Sequence, residues 1–205
     1  MFRQQLNKAL PLALIIWIGF AVIAAYFGAE IVLLAKPAVE FLTVQMDYEF
    51  ITTMSAAPPH SELGTLAMRY HLIVPLQLVG SFMLAPGTDF DASIPAGQDL
   101  LPPMLALSIL LAWPYSGARQ RFFAVAFGVC ATTLLLIGFI ATHFAVQLEM
   151  NLRGLAEGIH QERPWPTYMP AFIFIILGGQ WLLAVVFAVL TAKFFTRSPE
   201  LRSSR

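Results

Sequence analysis

Between Ala9 and Ala29 the chain carries no charged side chain, and the apolar run extends from Leu10 to about Ala35. A bilayer core of roughly 30 Å is crossed by about 20 mostly apolar residues in a helix, because a helix satisfies its own backbone N–H and C=O groups where water is absent. Pro11 falls in the first turn of this run, where a missing N–H does no harm. Arg3 and Lys8 ahead of it imitate the start of a signal sequence. The run is far longer than the roughly 7–15 residues of a signal h-region, so an uncleaved anchor is expected.

Two further runs match the first. Phe122 to Leu148 is apolar apart from threonines, His143 and Gln147, and Met169 to Phe195 is interrupted only by Gln180 and Lys193. Leu100 to Tyr115 is shorter, about 24 Å as a helix, and spans if the bilayer thins or its Pro102–Pro103 start lies at the interface. Only 12% of the residues are charged, against about 25% in a soluble domain, which points to lipid as the main solvent. Disorder and a disulfide scaffold are excluded, the latter by the single cysteine, Cys130. A net charge of zero gives no basic excess of the kind nucleic-acid binding requires.

A fifth run, Tyr70 to Ala85, is apolar but holds His71, Pro75, Gln77, Gly80 and Ser81. Charge decides against its crossing, because short loops rich in Lys and Arg stay cytoplasmic. If it crossed, the acidic loop with Asp89, Asp91 and Asp99 would be cytoplasmic and the basic turn with Arg119 and Arg121 would be outside. With four spans the rule holds. The cytoplasmic side then carries Arg3, Lys8, Arg119, Arg121, Lys193, Arg197, Arg202 and Arg205 against Glu200 alone, a balance of +7. The outer side carries four basic residues against eleven acidic ones, a balance of −7. The expected fold is therefore mainly α and integral to the membrane, with four transmembrane helices and both termini cytoplasmic. Residues 1–35 form the N-terminus and first helix, 36–99 an extracytoplasmic cap, and 100–205 the remaining helices with an outer loop at 149–168.

The cap is too long for a simple connector. Thr43 to Thr52 alternates Val44, Met46, Tyr48 and Phe50 against Gln45, Asp47 and Glu49, the period-2 pattern of a strand with one buried face. Tyr70–Ala85 is rich in β-formers and bounded by Gly64 and Pro86–Gly87, which makes the cap strand-containing. A competing reading makes Tyr70–Ala85 a re-entrant or interfacial helix whose backbone is buried against protein. In the second outer loop, Leu148, Leu152, Leu155 and Ile159 fall at helical spacing, so the third span is expected to continue by a turn or two until Pro164 and Pro166 end it. Trp165 and Tyr168 sit where an interfacial aromatic belt would place them, as do Trp113 and Tyr115 at the opposite face.

Few residues invite chemistry. Cys130 has no base in reach, since His143 lies thirteen residues along the same helix, about 20 Å away, and a small buried apolar role is expected for it. His143, near the outer end of its span, is the first candidate for chemistry, because ionisable groups at such depth are rare and often functional. A bis-histidine haem site would need a partner at its depth, and His60, His71 and His160 are all in outer segments. Glu30 lies near the outer end of the first span, so the two could form a polar pocket beneath the cap; the alternatives are a structural hydrogen bond for His143 and an interfacial carboxylate for Glu30. His71, Asp89, Asp91 and Asp99 are read as solvated loop residues before a metal site. Gly178, Gly179 and Gln180 read as helix-packing or partner-binding positions, with Trp165; Gly19, Gly28, Gly128 and Gly138 have the same explanation. No nucleotide, metal or hydrolase motif is present, so no cofactor and no metal is expected.

The stretch from Leu100 to Leu148, with Pro102, Pro103, Ala112, Pro114 and the Arg119/Arg121 turn, resembles a hairpin in small membrane proteins associated with bacterial exosortase systems. In that family a first span is followed by a strand-rich extracytoplasmic segment, a proline-headed helix, a basic turn and further spans. The resemblance implies an accessory role beside a protein-sorting enzyme. It does not imply catalysis, because exosortase-like peptidases use an intramembrane cysteine with arginine and histidine at the outer side, and Cys130 lies only nine residues from Arg121, at the wrong depth. The leading expectation is a non-catalytic accessory or scaffold protein of a bacterial inner membrane that binds another membrane protein in envelope sorting or assembly. The alternatives are an intramembrane or lipid-modifying enzyme using Glu30 and His143, and an oligomeric transporter or channel subunit.

Overall fold

A computed structural model of the chain describes residues 2–47, 49–56 and 65–197. Tyr48, His60, Glu62, Gly64, Glu200, Arg202 and Arg205 lie outside the described residues, as do the side chains of Arg3, Lys8 and Arg197. Among the described residues three helices are long and apolar enough to cross a membrane, within Ala9–Leu33, Ala118–Gly158 and Met169–Thr196. The chain runs α1 (Phe2–Leu33), α2 (Lys36–Met46), β1 (Phe50–Ala56), β2 (Thr65–Leu72), β3 (Leu76–Val79), β4 (Phe82–Leu84), β5 (Asp89–Pro95), α3 (Ala96–Ala112), α4 (Ala118–Gly158), α5 (Met169–Phe174), a π-helical turn (Ile175–Gly179) and α6 (Gln180–Arg197). It divides into two units that each draw on separate parts of the chain.

The first unit comprises Met1–Ala24, Gln98–Leu136 and Gly178–Arg205. Its core is built mainly of alanines, Ala9 and Ala13 on α1, Ala106 on α3, and Ala184, Ala188 and Ala192 on α6, around Ile109, Leu110 and Trp113. Spacing of four puts each alanine set on one helix face, so backbones approach closely there. The bulky side chains point the other way. Leu14, Ile15, Phe122, Leu134, Leu182 and Phe194 are all exposed, an inversion of the order water imposes, under which large apolar side chains go inside. Trp17 stands edge-on to Trp181 at 6.0 Å and donates its indole N–H to the Leu101 carbonyl at 3.3 Å. Gly128 is buried against Leu110, and an added methyl there would collide with Leu110 Cδ1.

Several expectations change here. α3 begins at Ala96 and ends at Ala112, so Pro102 and Pro103 lie inside the helix and do not head it. Its seventeen residues reach about 26 Å, short of a full bilayer core. Trp113 is fully buried in the alanine core and not displayed in an aromatic belt. Cys130 is exposed on α4, contrary to the buried role expected for it. Gly19 and Gly138 face open space, so close packing explains only Gly128 among these three.

The second unit comprises Ala25–Gly97 and Ile137–Leu177. Its sheet has the order β1-β2-β5, all antiparallel, with Thr52 opposite Tyr70 and Tyr70 opposite Phe90. Alternate residues point inward, and Phe50 meets Tyr70 and Phe90 edge-on, each at 5.9 Å. Both edges are closed by helix side chains. Glu40 of α2 accepts from the Met54 N–H at 2.6 Å on the β1 edge. On the β5 edge, Gln147 accepts from the Ser93 N–H at 2.9 Å and Asn151 donates to the Asp91 carbonyl at 3.3 Å. Closing the edges removes the template for unwanted strand pairing.

The cap is thus strand-containing, and Tyr70–Ala85 is strand and hairpin, not a re-entrant or interfacial helix: β2 ends in it and β3 pairs with β4. The expected strand over Thr43–Thr52 is corrected in its first half. Residues up to Met46 are helical, with Pro37 in the first turn, Val39 and Thr43 buried one turn apart, and Lys36 paired to Glu40 at 3.7 Å. β5 occupies what read as a loop. α4 continues ten residues beyond Leu148, nearly three turns, and stops at Gly158 well before Pro164. His160 takes φ 56° there, and the Gln161 N–H donates back to the Ala156 carbonyl, which satisfies a terminal acceptor without proline.

The buried contact at Gly128 yields a prediction. Gly128→Ala forces Leu110 to move within a packed core and should cost about 1–3 kcal/mol in a thermal unfolding series in detergent. Gly138→Ala meets nothing and should be neutral or stabilising by up to about 1 kcal/mol. Leu110→Val in the Gly128→Ala background should recover part of the loss.

Candidate functional site

Within the second unit, charged groups from separate stretches of chain meet at one junction. Glu149 is the first charged residue of α4 after Arg121. Arg163, from the segment after α4, grips it with two hydrogen bonds of 3.2 Å, Nε to Oε2 and Nη2 to Oε1. The third arm of the guanidinium donates to the Leu78 carbonyl of β3 at 3.0 Å. Tyr168, from the same segment as Arg163, donates its hydroxyl to the Met46 carbonyl at the end of α2, 3.3 Å away. The planar fork of arginine suits this arrangement, since it bonds a carboxylate bidentately and still has a donor left for a carbonyl.

Asp47 stands beside this pair as the residue that ends α2. Its Oδ2 is buried and accepts no hydrogen bond, and the hydroxyl of Tyr70, a fully buried side chain, likewise has no partner. Burial, then the charges of Glu149 and Glu49, push the Asp47 carboxyl from its ordinary 3.8 up to about 7, against the opposing pull of Arg163. The Tyr70 phenol is pushed up by burial and by the nearby Asp47 charge. The junction therefore holds three carboxyl groups and one fixed cation, and one carboxyl binds a proton near neutrality. Carboxyls with strongly raised affinity for a proton cluster at functional sites, although structural networks also produce them.

The outer face of the sheet is the second polar array. Cross-strand register sets Ile51, His71 and Asp89 in one row and Thr53, Arg69 and Asp91 in the next. Asp89 Oδ1 lies 2.7 Å from His71 Nδ1, and Asp91 accepts from Arg69 Nε at 3.0 Å. All four of these charged or titratable side chains are at least half exposed. Among the described residues no group of three or more His, Cys, Asp and Glu is arranged to hold a metal ion.

The residues singled out from sequence have the following surroundings, each within its own unit. His143, on α4, packs its ring on that of Phe172 with centroids 5.0 Å apart. Glu30 is exposed on α1. Gly178 adopts φ 94°, a left-handed conformation that favours glycine, and the helical path is kinked there ahead of α6. Its surroundings are open, so backbone geometry explains this glycine and close packing does not. The Gln180 Oε1 is buried with no hydrogen-bond partner. Trp165 is exposed, with the Arg153 guanidinium 3.8 Å above its ring.

Sequence reasoning passed over Asp47, Glu149 and Arg163. Only proximity in space relates residues separated by about a hundred positions. β5 did carry a signal, since Phe90, Ala92 and Ile94 alternate with Asp89, Asp91 and Ser93. No family model matches the chain, and no curated protein or solved structure shows significant similarity to it.

The junction makes stability depend on pH with a definite sign. A carboxyl whose proton affinity is higher in the folded than in the unfolded state favours folding fully below the unfolded value, and that contribution is lost as pH rises through the folded one. Thermal stability should therefore decline as pH is raised from about 4 to above 7. Asp47→Asn, which keeps the shape and removes the titration, should flatten this decline and unfold at higher temperature than the parent above pH 7. Arg163→Ala leaves Glu149 unpaired and should cost about 1.5–3 kcal/mol.

Proposed function

We propose that the chain is a multi-pass protein of the bacterial inner membrane that acts as a non-catalytic accessory or scaffold, presenting the outer face of its sheet to a partner membrane protein in envelope sorting or assembly. The membrane part of this reading is supported by the inversion of burial, with alanines inside and leucine, isoleucine and phenylalanine outside, together with three apolar helices of sufficient length. The charge split of +7 against −7 supports four spans with both termini cytoplasmic. α3 serves as the short fourth span, its shortfall of about 4 Å against a bilayer core of roughly 30 Å taken up by local thinning of the bilayer.

The observation that carries the scaffold reading is the finished state of the sheet. Both edges are occupied by Glu40, Gln147 and Asn151, so a partner cannot add a strand. What is left for a partner is the charged row of Arg69, His71, Asp89 and Asp91, on a sheet braced by helices. Rigid presentation of exposed charge suits recognition, because complementary potentials steer and select partners at little ordering cost. The accessory role beside an exosortase-type enzyme is supported by the resemblance of Leu100–Leu148 described above.

A photo-crosslinker placed at Thr53 in cells should trap one membrane protein reproducibly. The double variant Arg69→Asp/Asp91→Arg keeps the internal ion pair with its charges exchanged, and should abolish that crosslink at unchanged protein level. Glu30→Ala and His143→Ala should leave the crosslink and the phenotype intact. A chain that is always recovered alone overturns the scaffold reading, and loss of the phenotype in the Glu30 or His143 variant with the crosslink preserved favours an intramembrane enzyme.

A further inference from the structure

From Leu72 to Thr88 the chain has seventeen residues without a charge, although it lies in the cap. This stretch contains the β3–β4 hairpin, whose inward positions Leu76 and Leu78 are buried. Four bulky apolar side chains of the same stretch are nevertheless exposed: Ile73 at 44%, Val74 at 42%, Phe82 at 43% and Met83 at 52%. Four bulky apolar side chains left exposed on one uncharged stretch are unusual on a surface that meets only water.

The height of the hairpin along α4 is set by the junction. Arg163 holds the Leu78 carbonyl of β3 with one arm and Glu149 with the other two. Glu149 directly follows the uncharged run Phe122–Leu148, so the clamp pins the hairpin at the level where that run ends. Trp165, two residues from Arg163, is exposed beneath the Arg153 guanidinium, the pairing of an amphipathic ring and a cation that suits the headgroup layer. Backbone that is not helical cannot enter the hydrocarbon itself, which restricts the hairpin to the interface.

We infer that the β3–β4 hairpin is a lipid-contacting element, seated in the headgroup layer with Ile73, Val74, Phe82 and Met83 turned to the acyl boundary. This rests on the membrane reading above. Apolar area of this kind binds an interface by burial alone, and the missing charges are those that would resist it.

The test uses the full chain in phosphatidylcholine vesicles, in a Cys130→Ser background with single cysteines carrying a polarity-sensitive fluorophore. Labels at Met83→Cys and, separately, Val74→Cys should emit to the blue of a label at Thr53→Cys and be quenched by lipids spin-labelled near the headgroup. A label at Leu134→Cys, fifteen residues before Glu149 on α4, reports the membrane reading independently through quenching by lipids spin-labelled deep in the chain. Quenching at Leu134 with water-like, unquenched emission at both Met83 and Val74 overturns the hairpin inference and leaves the membrane reading standing. Absence of quenching at all three positions overturns both.

Discussion

The structure depends on a reversal of the usual sorting of side chains. Alanines at intervals of four on α1 and α6 face inward, and the large apolar side chains of the same helices face out. In water that arrangement would expose the groups with most to gain from burial. In lipid it costs nothing, because acyl chains are as apolar as leucine, and helices associate through close backbone contact and dispersion. Trp113 and the methyl-excluding contact of Gly128 with Leu110 complete such a core with few atoms.

Against this background, polar interactions of the second unit are concentrated where they join segments. Arg163 ties α4 to β3, Tyr168 ties the following segment to α2, and Glu40, Gln147 and Asn151 occupy the sheet edges. Most of these bonds run from a side chain to a backbone group. Backbone groups are thereby satisfied by side chains supplied from helices and from the segment after α4, in keeping with the strong cost of leaving a buried backbone group unpaired. Asp47 and Tyr70 depart from this pattern, each with a buried oxygen that lacks a partner. The carboxyl answers by holding its proton to about neutrality, the cheapest way to avoid an unpaired buried charge.

The parts of the fold that were legible in the sequence are those where one local period dominates. Long uncharged runs announced α1, α4 and α6, and β-forming residues between turn signals announced strands in the cap. Where two local signals compete, context decides. Val44 and Met46 alternate with polar neighbours as a strand would, yet Pro37 starts a helix, Lys36 and Glu40 support it one turn apart, and burial of Val39 and Thr43 selects it. Phe90, Ala92 and Ile94 alternate as clearly, but their acidic partners read as a loop until β2 is placed alongside to pair Arg69 with Asp91.

The sequence by itself determined that the chain is poor in charge and carries apolar runs long enough to cross a membrane as helices. It also determined that the charges separate into a basic and an acidic set along the chain. Tertiary structure alone decided which polar groups meet. Asp47, Glu149 and Arg163 are ordinary surface residues in their own neighbourhoods, and only the fold brings them together. Hydropathy is a property of consecutive residues and is written into the chain. A polar site is a coincidence of distant ones, and exists only once the packing of helices and strands has brought them within a hydrogen bond of each other.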